Sequence, residues 1–246
     1  MDITIILVSL IIALGGFTQG LTGFGLALVS VPLLSMTVDA KIAVPLASIF
    51  GWVVTWPIVW KMRHCVQYKT GLILFAGSIP ASFVGAKLLA TLPSQYIIIP
   101  MGIILIVSSL YALRSSKPLF RRTSTSVTFG TGFTSGVLGA SVGDPGPPVI
   151  AYTSMLPWTA DQSKSTLAFF FMLQMVNAII SFWVTGLITV EVTFLAVSAI
   201  PLFLVGTIAG MVSYHLLQKH KINYHHLVHA LLLIIGCMLI LKQLFI

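Results

Sequence analysis

Six stretches of the chain, near 41–60, 70–90, 96–113, 165–187, 190–217 and 223–245, are apolar for long enough to cross a bilayer as helices, a crossing that needs roughly 17–25 residues. Hydrocarbon offers no partner for backbone N–H and C=O groups, so such stretches must close their hydrogen bonds internally as helices. Only 7% of the residues are charged, against roughly 25% in a soluble domain, so an all-α polytopic membrane protein is expected. The 13 Lys and Arg against 5 Asp and Glu then point to basic loops facing the cytoplasm and its anionic lipids, not to nucleic acid. Cys65 and Cys237 are too few for a disulfide framework. The start, MDITIILVSLIIALGG, has no basic lead and no small-residue cleavage site, so it is not expected to be a secretory signal.

Two further apolar segments, 3–35 and 125–156, are interrupted by glycine, leaving fragments of about 12–15 residues, the length of half-helices. They also resemble each other. Gly16, Phe17, Thr18, Gly20, Gly23 and Pro32 recur 116 residues later as Gly132, Phe133, Thr134, Gly136, Gly139 and Pro148. Ile79, Pro80, Val84 and Gly85 recur 121 residues later as Ile200, Pro201, Val205 and Gly206. The chain therefore reads as a tandem duplication: a first repeat 1–113, a basic linker 114–124 and a second repeat 125–246.

Charge bears on topology. If each broken segment is a re-entrant hairpin, the basic clusters at 61–69, 114–122 and 219–221 share one side. The count is then 9 inside against 4 outside, the four being Lys41, Lys87, Lys164 and Lys242. Two complete crossings in place of the hairpins give 8 against 5, so the positive-inside rule prefers hairpins. Three full spans per repeat, an odd number, make the repeats inverted, which is transporter architecture.

The blocks read GFTQGLTGFGLALVSVP (16–32) and GFTSGVLGASVGDPGPPVIAY (132–152). Non-helical backbone at membrane depth persists only when buried in protein or lining a cavity. The second helix of each hairpin is expected to start near Gly25 and near Gly146-Pro147-Pro148, since proline suits a first helical turn. Two helix N-termini, each worth roughly half a positive charge, would converge into an anion site. Thr18, Gln19, Thr22, Thr134, Ser135 and Ser141 would add side-chain donors, and Gly23, Gly25, Gly139, Gly143 and Gly146 would bring backbone close to the ligand. No Lys or Arg falls at mid-membrane, so dipoles alone would hold the anion, weakly enough for it to leave. Gly25 and Gly146 are expected to tolerate no side chain, and Gly16 to be more forgiving.

Competing readings attach to several of these residues. Gly16-x-x-x-Gly20 and Gly132-x-x-x-Gly136 have the spacing of close-packing helix faces. Asp144 is the one acid outside the loops and ends. It is expected to take up a proton as the anion binds, because like charges repel strongly in a low-dielectric pocket; the rival role is a permanently ionised cap on the Gly-Pro-Pro turn. Gln174 and Asn177 suit interhelical hydrogen bonds as well as they suit substrate contacts, and Trp52 and Trp56 suit packing. His220, His225, His226 and His229 lack an accompanying acid or Cys, so an interfacial role is preferred to a metal site. GASVG (139–143) matches G-x-S-x-G, which raises an intramembrane serine hydrolase with Ser141 as nucleophile and His215 or His229 as base. The first copy has Gly25 at the Ser141 position, which weighs against that reading. No cofactor is called for, and oligomeric state is not written in the sequence.

The duplicated glycine-rich blocks, each ending in proline and each followed by three apolar helices, strongly resemble the TauE/SafE sulfite exporter family, also called TSUP. The resemblance covers nearly the whole chain. It implies a multi-pass inner (plasma) membrane transporter, not an enzyme, that moves sulfite, organosulfonates or related sulfur anions; a non-sulfur anion is the alternative. In the second block, Asp144 and Pro145 stand where the family usually has an apolar residue and Gly before Gly-Pro-Pro.

Overall fold

The computed structural model describes residues 3–22, 25–113 and 124–219, together with 237 and 240. Among them every regular element is helical: α1 (Ile3–Thr22), α2 (Leu26–Leu34), α3 (Ala40–Met62), α4 (Tyr68–Thr91), α5 (Gln95–Leu113), α6 (Thr125–Ser141), α7 (Gly146–Ser154), α8 (Ala160–Val184) and α9 (Val190–Lys219), with a 3-10 turn at Arg63–Cys65. Five of the described helices are long and apolar enough to cross a membrane. These five are α1, α3, α4, α8 and α9. The spans expected at 41–60, 70–90, 96–113 and 190–217 fall within α3, α4, α5 and α9, and that expected at 165–187 overlaps α8 but runs three residues past its end. Only α8 begins well before its expected start, because Thr159 and Gln162 form a capping box there, with Thr159 Oγ1 accepting from Gln162 N at 3.2 Å. The expected span at 223–245 and the four histidines from 220 to 229 lie outside the described residues.

The broken segments differ from expectation in their first arms. α1 has 20 residues and α6 has 17, about 30 and 25 Å at 1.5 Å per residue, whereas the second arms, α2 and α7, have nine each. Glycine in these arms does not break the helix; it lets a neighbouring backbone approach. A Cβ on Gly206 or Gly210 of α9 would overlap the carbonyl oxygens of Ala13 or Phe17, and one on Gly132 of α6 would overlap that of Leu74. Close van der Waals approach through small residues is the usual glue between helices in lipid, and here it outweighs glycine's poor helix propensity.

These contacts define an exchange of partners. α1 packs along α9, and α6 along α4, in each case over most of their length. Residues 13 and 17 meet 206 and 210, and residues 132 and 136 meet 74 and 78, so both pairs run parallel. Each first arm thus lies against a helix from the other half of the chain. α3 and α8 pack between them, Gly51 against Met175, and Asn177 Nδ2 reaches Ser78 O (3.3 Å) and Ile79 O (3.2 Å) of α4.

Both second arms fold back antiparallel to the first. Ser30 Oγ donates to Ile11 O at 3.3 Å, and Leu26 and Ser30 flank Gly15. In the other hairpin Ser135 Oγ donates to Pro145 O, while nearer the hairpin's mouth Thr128 Oγ1 and Tyr152 Oη are 2.6 Å apart. At one end of the molecule Gln67 N donates to Thr166 Oγ1 at 2.9 Å, joining the starts of α4 and α8. Lys164 therefore stands at the same end as Lys61, Arg63 and Lys69. This corrects the charge count, which put Lys164 opposite them: a hairpin that returns to its own side brings residue 164 back with it. At the other end Lys41 Nζ donates to Ala90 O at 2.9 Å and Ser94 Oγ to Asp39 Oδ2 at 2.8 Å.

The core is built from Ile12, Leu26, Val29, Leu34, Leu46, Phe50, Phe182 and Phe203, with a smaller cluster around Leu74, Val149, Tyr152 and Phe170. Outward-facing positions of α1, α4 and α9 carry exposed Leu, Ile and Val. Water would not tolerate that exterior as a continuous surface, but lipid would.

Candidate functional site

The two short helices point their N-termini into one cavity of about 30 Å³, where one water needs roughly 10–15 Å³ on the same measure. From the first hairpin come Gln19, Gly25, Ala27 and Leu28; from the second come Asp144, Pro145, Gly146 and Ile150. Thr55 of α3 and Phe171 and Met175 of α8 close the sides. Residues about 120 apart in sequence are brought together by the two fold-backs.

Gly25 caps α2 with φ +119°, a left-handed conformation that residues with a Cβ rarely adopt. The N–H groups of Gly25, Leu26, Ala27 and Leu28 have no carbonyl within the helix to accept them. The side chain of Gln19 meets one of these: its Oε1 accepts from Leu26 N at 2.8 Å. Those of Gly25, Ala27 and Leu28 belong to residues that line the cavity.

α7 begins in another way. The corresponding four positions are Pro145, Gly146, Pro147 and Pro148, and proline has no N–H. The only donor is Gly146 N, which is taken by Asp144 Oδ1 at 3.0 Å. The expectation of two equivalent donor-bearing helix ends is thus corrected. α7 brings its dipole and a carboxylate to the cavity, but no backbone donor that is not already engaged. Asp144 is buried, and its second oxygen, Oδ2, has no hydrogen-bond partner among the described residues. The cap role is therefore filled by one carboxylate oxygen and leaves the other uncommitted. Gln174 Nε2, packed against Gly139, is also buried without a hydrogen-bond partner among the described residues.

Of the twelve residues singled out from sequence, Gln19, Gly25, Asp144 and Gly146 line the cavity. Thr18 is buried on α1 and donates to Leu14 O at 2.9 Å. Ser135 ties the α7 turn to α6 through Pro145 O, and Ser141 donates to Val137 O at 2.7 Å. Gly139 sits under Gln174 and Pro145, and Gly143, with φ +79°, packs on Val31 of α2. Thr134 is exposed on α6 and bonds back to Gly130 O and Thr131 O, away from the cavity. Thr22 ends α1, its side chain not described, and Gly23 lies outside the described residues. Of the other polar candidates, Asn177 is an interhelical tie to α4, and Trp52 and Trp56 meet edge to face at 6.2 Å between ring centres. Among the described residues no group of three or more His, Cys, Asp or Glu side chains stands where it could hold a metal ion.

Sequence reasoning missed Thr55, Phe171 and Met175. Thr55 carried a signal, a hydroxyl inside an apolar run that it shares with Ser48 alone, and its Oγ1 donates to Trp52 O at 2.8 Å. Phe171 and Met175 are a turn apart on α8 and read only as core.

No curated protein and no solved structure matched the chain. A family model did: that described as sulfite exporter TauE/SafE matches residues 8–239. With that match spanning nearly all of a chain whose glycine-rich hairpins meet at one cavity, this multi-pass membrane protein belongs to the sulfite exporter TauE/SafE family.

Proposed function

We propose that the chain is a secondary transporter that carries a small anion through the cavity between the two hairpins, and that the anion is sulfite, an organosulfonate or a related sulfur compound. The observation that carries this reading is the donor-bearing N-terminus of α2, Gly25 to Leu28, opening into a cavity without any fixed cation. Backbone donors at a helix N-terminus favour an anion, and the lack of Lys or Arg keeps the hold weak enough for release. The small cavity suits an inorganic oxyanion better than a long organic one.

The two-repeat reading joins this proposal: 1–113 and 125–246 are inverted repeats, each a re-entrant hairpin and three spans. Its support is the reciprocal packing of α1 on α9 and α6 on α4, and the antiparallel return of both second arms. With Lys164 moved to the side of the basic clusters, the positive-inside split becomes ten to three. The clusters then face the cytoplasm of a cell whose inner membrane holds the protein. Rocking of one repeat against the other would expose the cavity alternately to the two sides.

The test is uptake into proteoliposomes of labelled sulfite, a sulfonate and, as controls, chloride and nitrate. Saturable flux of a sulfur anion that exceeds the controls supports the reading. Equal flux of all four, or none, defeats it.

A further inference from the structure

We propose that the cavity accepts its anion together with one proton, held between Asp144 Oδ2 and a substrate oxygen. The substrate class is therefore an oxyanion that still carries an acidic O–H near neutral pH, of which hydrogensulfite is the smallest sulfur example. This deepens, and rests on, the anion-transport reading above.

The geometry has three parts. First, Asp144 is 6% exposed and lines the cavity, with Oδ1 fixed by Gly146 N and Oδ2 unpartnered among the described residues. A carboxylate oxygen so placed is a committed hydrogen-bond acceptor with nothing to accept. Second, the donors of the cavity lie opposite, on the first turn of α2. Third, none of the other described residues that line the cavity can titrate. α1 contributes Gln19, α2 contributes glycine and apolar residues, α3 contributes Thr55, whose hydroxyl donates to its own helix, and α8 contributes Phe171 and Met175.

An anion with no proton meets this site badly. Its oxygens are all acceptors, so it cannot satisfy Oδ2 and sets a like charge against it in a low-dielectric site. An O–H on the anion converts that repulsion into a charge-assisted O–H···O⁻ bond, the stronger kind, while the remaining oxygens take the α2 donors. The bookkeeping of protons is simple. A hydrogen oxyanion brings its own proton, whereas a bare anion binds only once Asp144 has taken up a proton from the bulk solution on the same side. In both cases one proton enters with one anion and departs with it, and no bond other than O–H is made or broken. A site built around a substrate O–H can reject the analogue lacking it by large factors, up to about 10⁴–10⁵ where both partners are buried.

The experiment uses the purified full chain in liposomes at pH 7, with labelled sulfite and labelled methanesulfonate at equal concentration. Sulfite is expected to move at least about ten times faster, and its rate to fall as rising pH removes the hydrogensulfite form. Asp144→Asn keeps an oxygen for Gly146 N and offers the substrate an amide donor instead of an acceptor. It is expected to bring the sulfite-to-methanesulfonate ratio towards one and to flatten the pH profile. An unchanged ratio in that variant overturns the inference. Should the variant fail to reach the membrane intact, the wild-type chain still decides: equal rates for the two anions at pH 7 overturn the inference while leaving anion transport standing. No flux of either anion would instead defeat the transport reading itself.

Discussion

The two hairpins share a sequence block and a fold-back but begin their second arms with opposite chemistry. α2 opens Gly-Leu-Ala-Leu, with an N–H at every position; α7 opens Pro-Gly-Pro-Pro, with one, already bonded to Asp144. The register also diverges. Pro32 and Pro148 match at the 116-residue offset, yet Pro32 is the seventh residue of α2 and Pro148 the third of α7. On the two-repeat reading proposed above, one backbone design occurs twice and substitution has divided its chemistry: donors on one side, an acceptor on the other. A site made of two equal donor ends would bind any small anion. A site with a donor end and an acceptor end can choose among them by their protons.

The largest effect is expected from making the first hairpin resemble the second. Gln19→Glu would place an ionised acceptor on Leu26 N, where a neutral one now sits at 2.8 Å. Both helix ends would then be neutralised from within. Anion flux in proteoliposomes should fall at least about tenfold, since charge-assisted hydrogen bonds are roughly twice as strong as neutral ones and the bound anion would face a second carboxylate. Flux within twofold of wild type would mean that the α2 end does not bind the anion.

A smaller difference separates the two glycines at the helix starts. Gly25 has φ +119°, and alanine there would carry strain of about 1–3 kcal/mol or shift the turn that aims the α2 donors. Gly146 has no such φ, and an added Cβ would lie 3.1 Å from Asp144 Oδ1 and 3.2 Å from Ile150 Cδ1, both side-chain atoms able to yield. Gly25→Ala should therefore reduce flux about five- to tenfold, and Gly146→Ala less than threefold, in detergent-stable protein. The equal intolerance expected from sequence would return if both variants lost flux alike.

Glycines on the packing faces should affect stability instead. Gly132→Ala drives a Cβ into Leu74 O, whereas Gly130→Ala, two residues away, meets nothing within 4 Å. Overpacking of this kind costs about 1–3 kcal/mol, so the first variant should lower the thermal midpoint in detergent by several degrees and the second should not. Gly16→Ala should fall between them, since its Cβ would come within 2.6 Å of Thr207 Oγ1, a side-chain atom, and no closer than 3.2 Å to backbone.

Sequence alone carried the approximate extents of α3, α4, α5 and α9, the two breaks and the starts of α2 and α7, because hydropathy, glycine and proline act locally. Gly16, Gly20, Gly132 and Gly136 have the packing role that their spacing suggests, against α9 and α4. Sequence nonetheless made the first arms too short, at about 12–15 residues, because it could not see that this packing holds them helical to their ends. The exchange of partners between halves was out of reach, since nothing in a duplicated sequence says which copy packs on which. Gln19 was picked as a donor to the ligand, yet its Oε1 reaches across the break to accept from Leu26, a seven-residue span that no local rule anticipates. The donor poverty of α7 was readable, however. Three prolines around one glycine leave a single N–H, and the same prolines had been read only for their fit to a first turn.

That poverty can be reversed, and the reversal is the finest test of the comparison. Pro147→Ala and Pro148→Ala each return an N–H to the first turn of α7, at positions where a helix leaves N–H groups unbonded. Neither proline is needed for the turn itself, which Asp144 and Ser135 tie from two sides. If the second end is weak for want of donors, the double variant should bind the anion more tightly. One net hydrogen bond is worth about 0.5–1.5 kcal/mol, so KM for the transported anion should fall about two- to tenfold with little change in maximal rate at first. Tighter holding also slows release, so the maximal rate should drop once affinity rises further. A rise in KM, with the protein intact in detergent, would mean that the prolines serve the shape of the cavity and that the contrast between the hairpins lies in Asp144 alone.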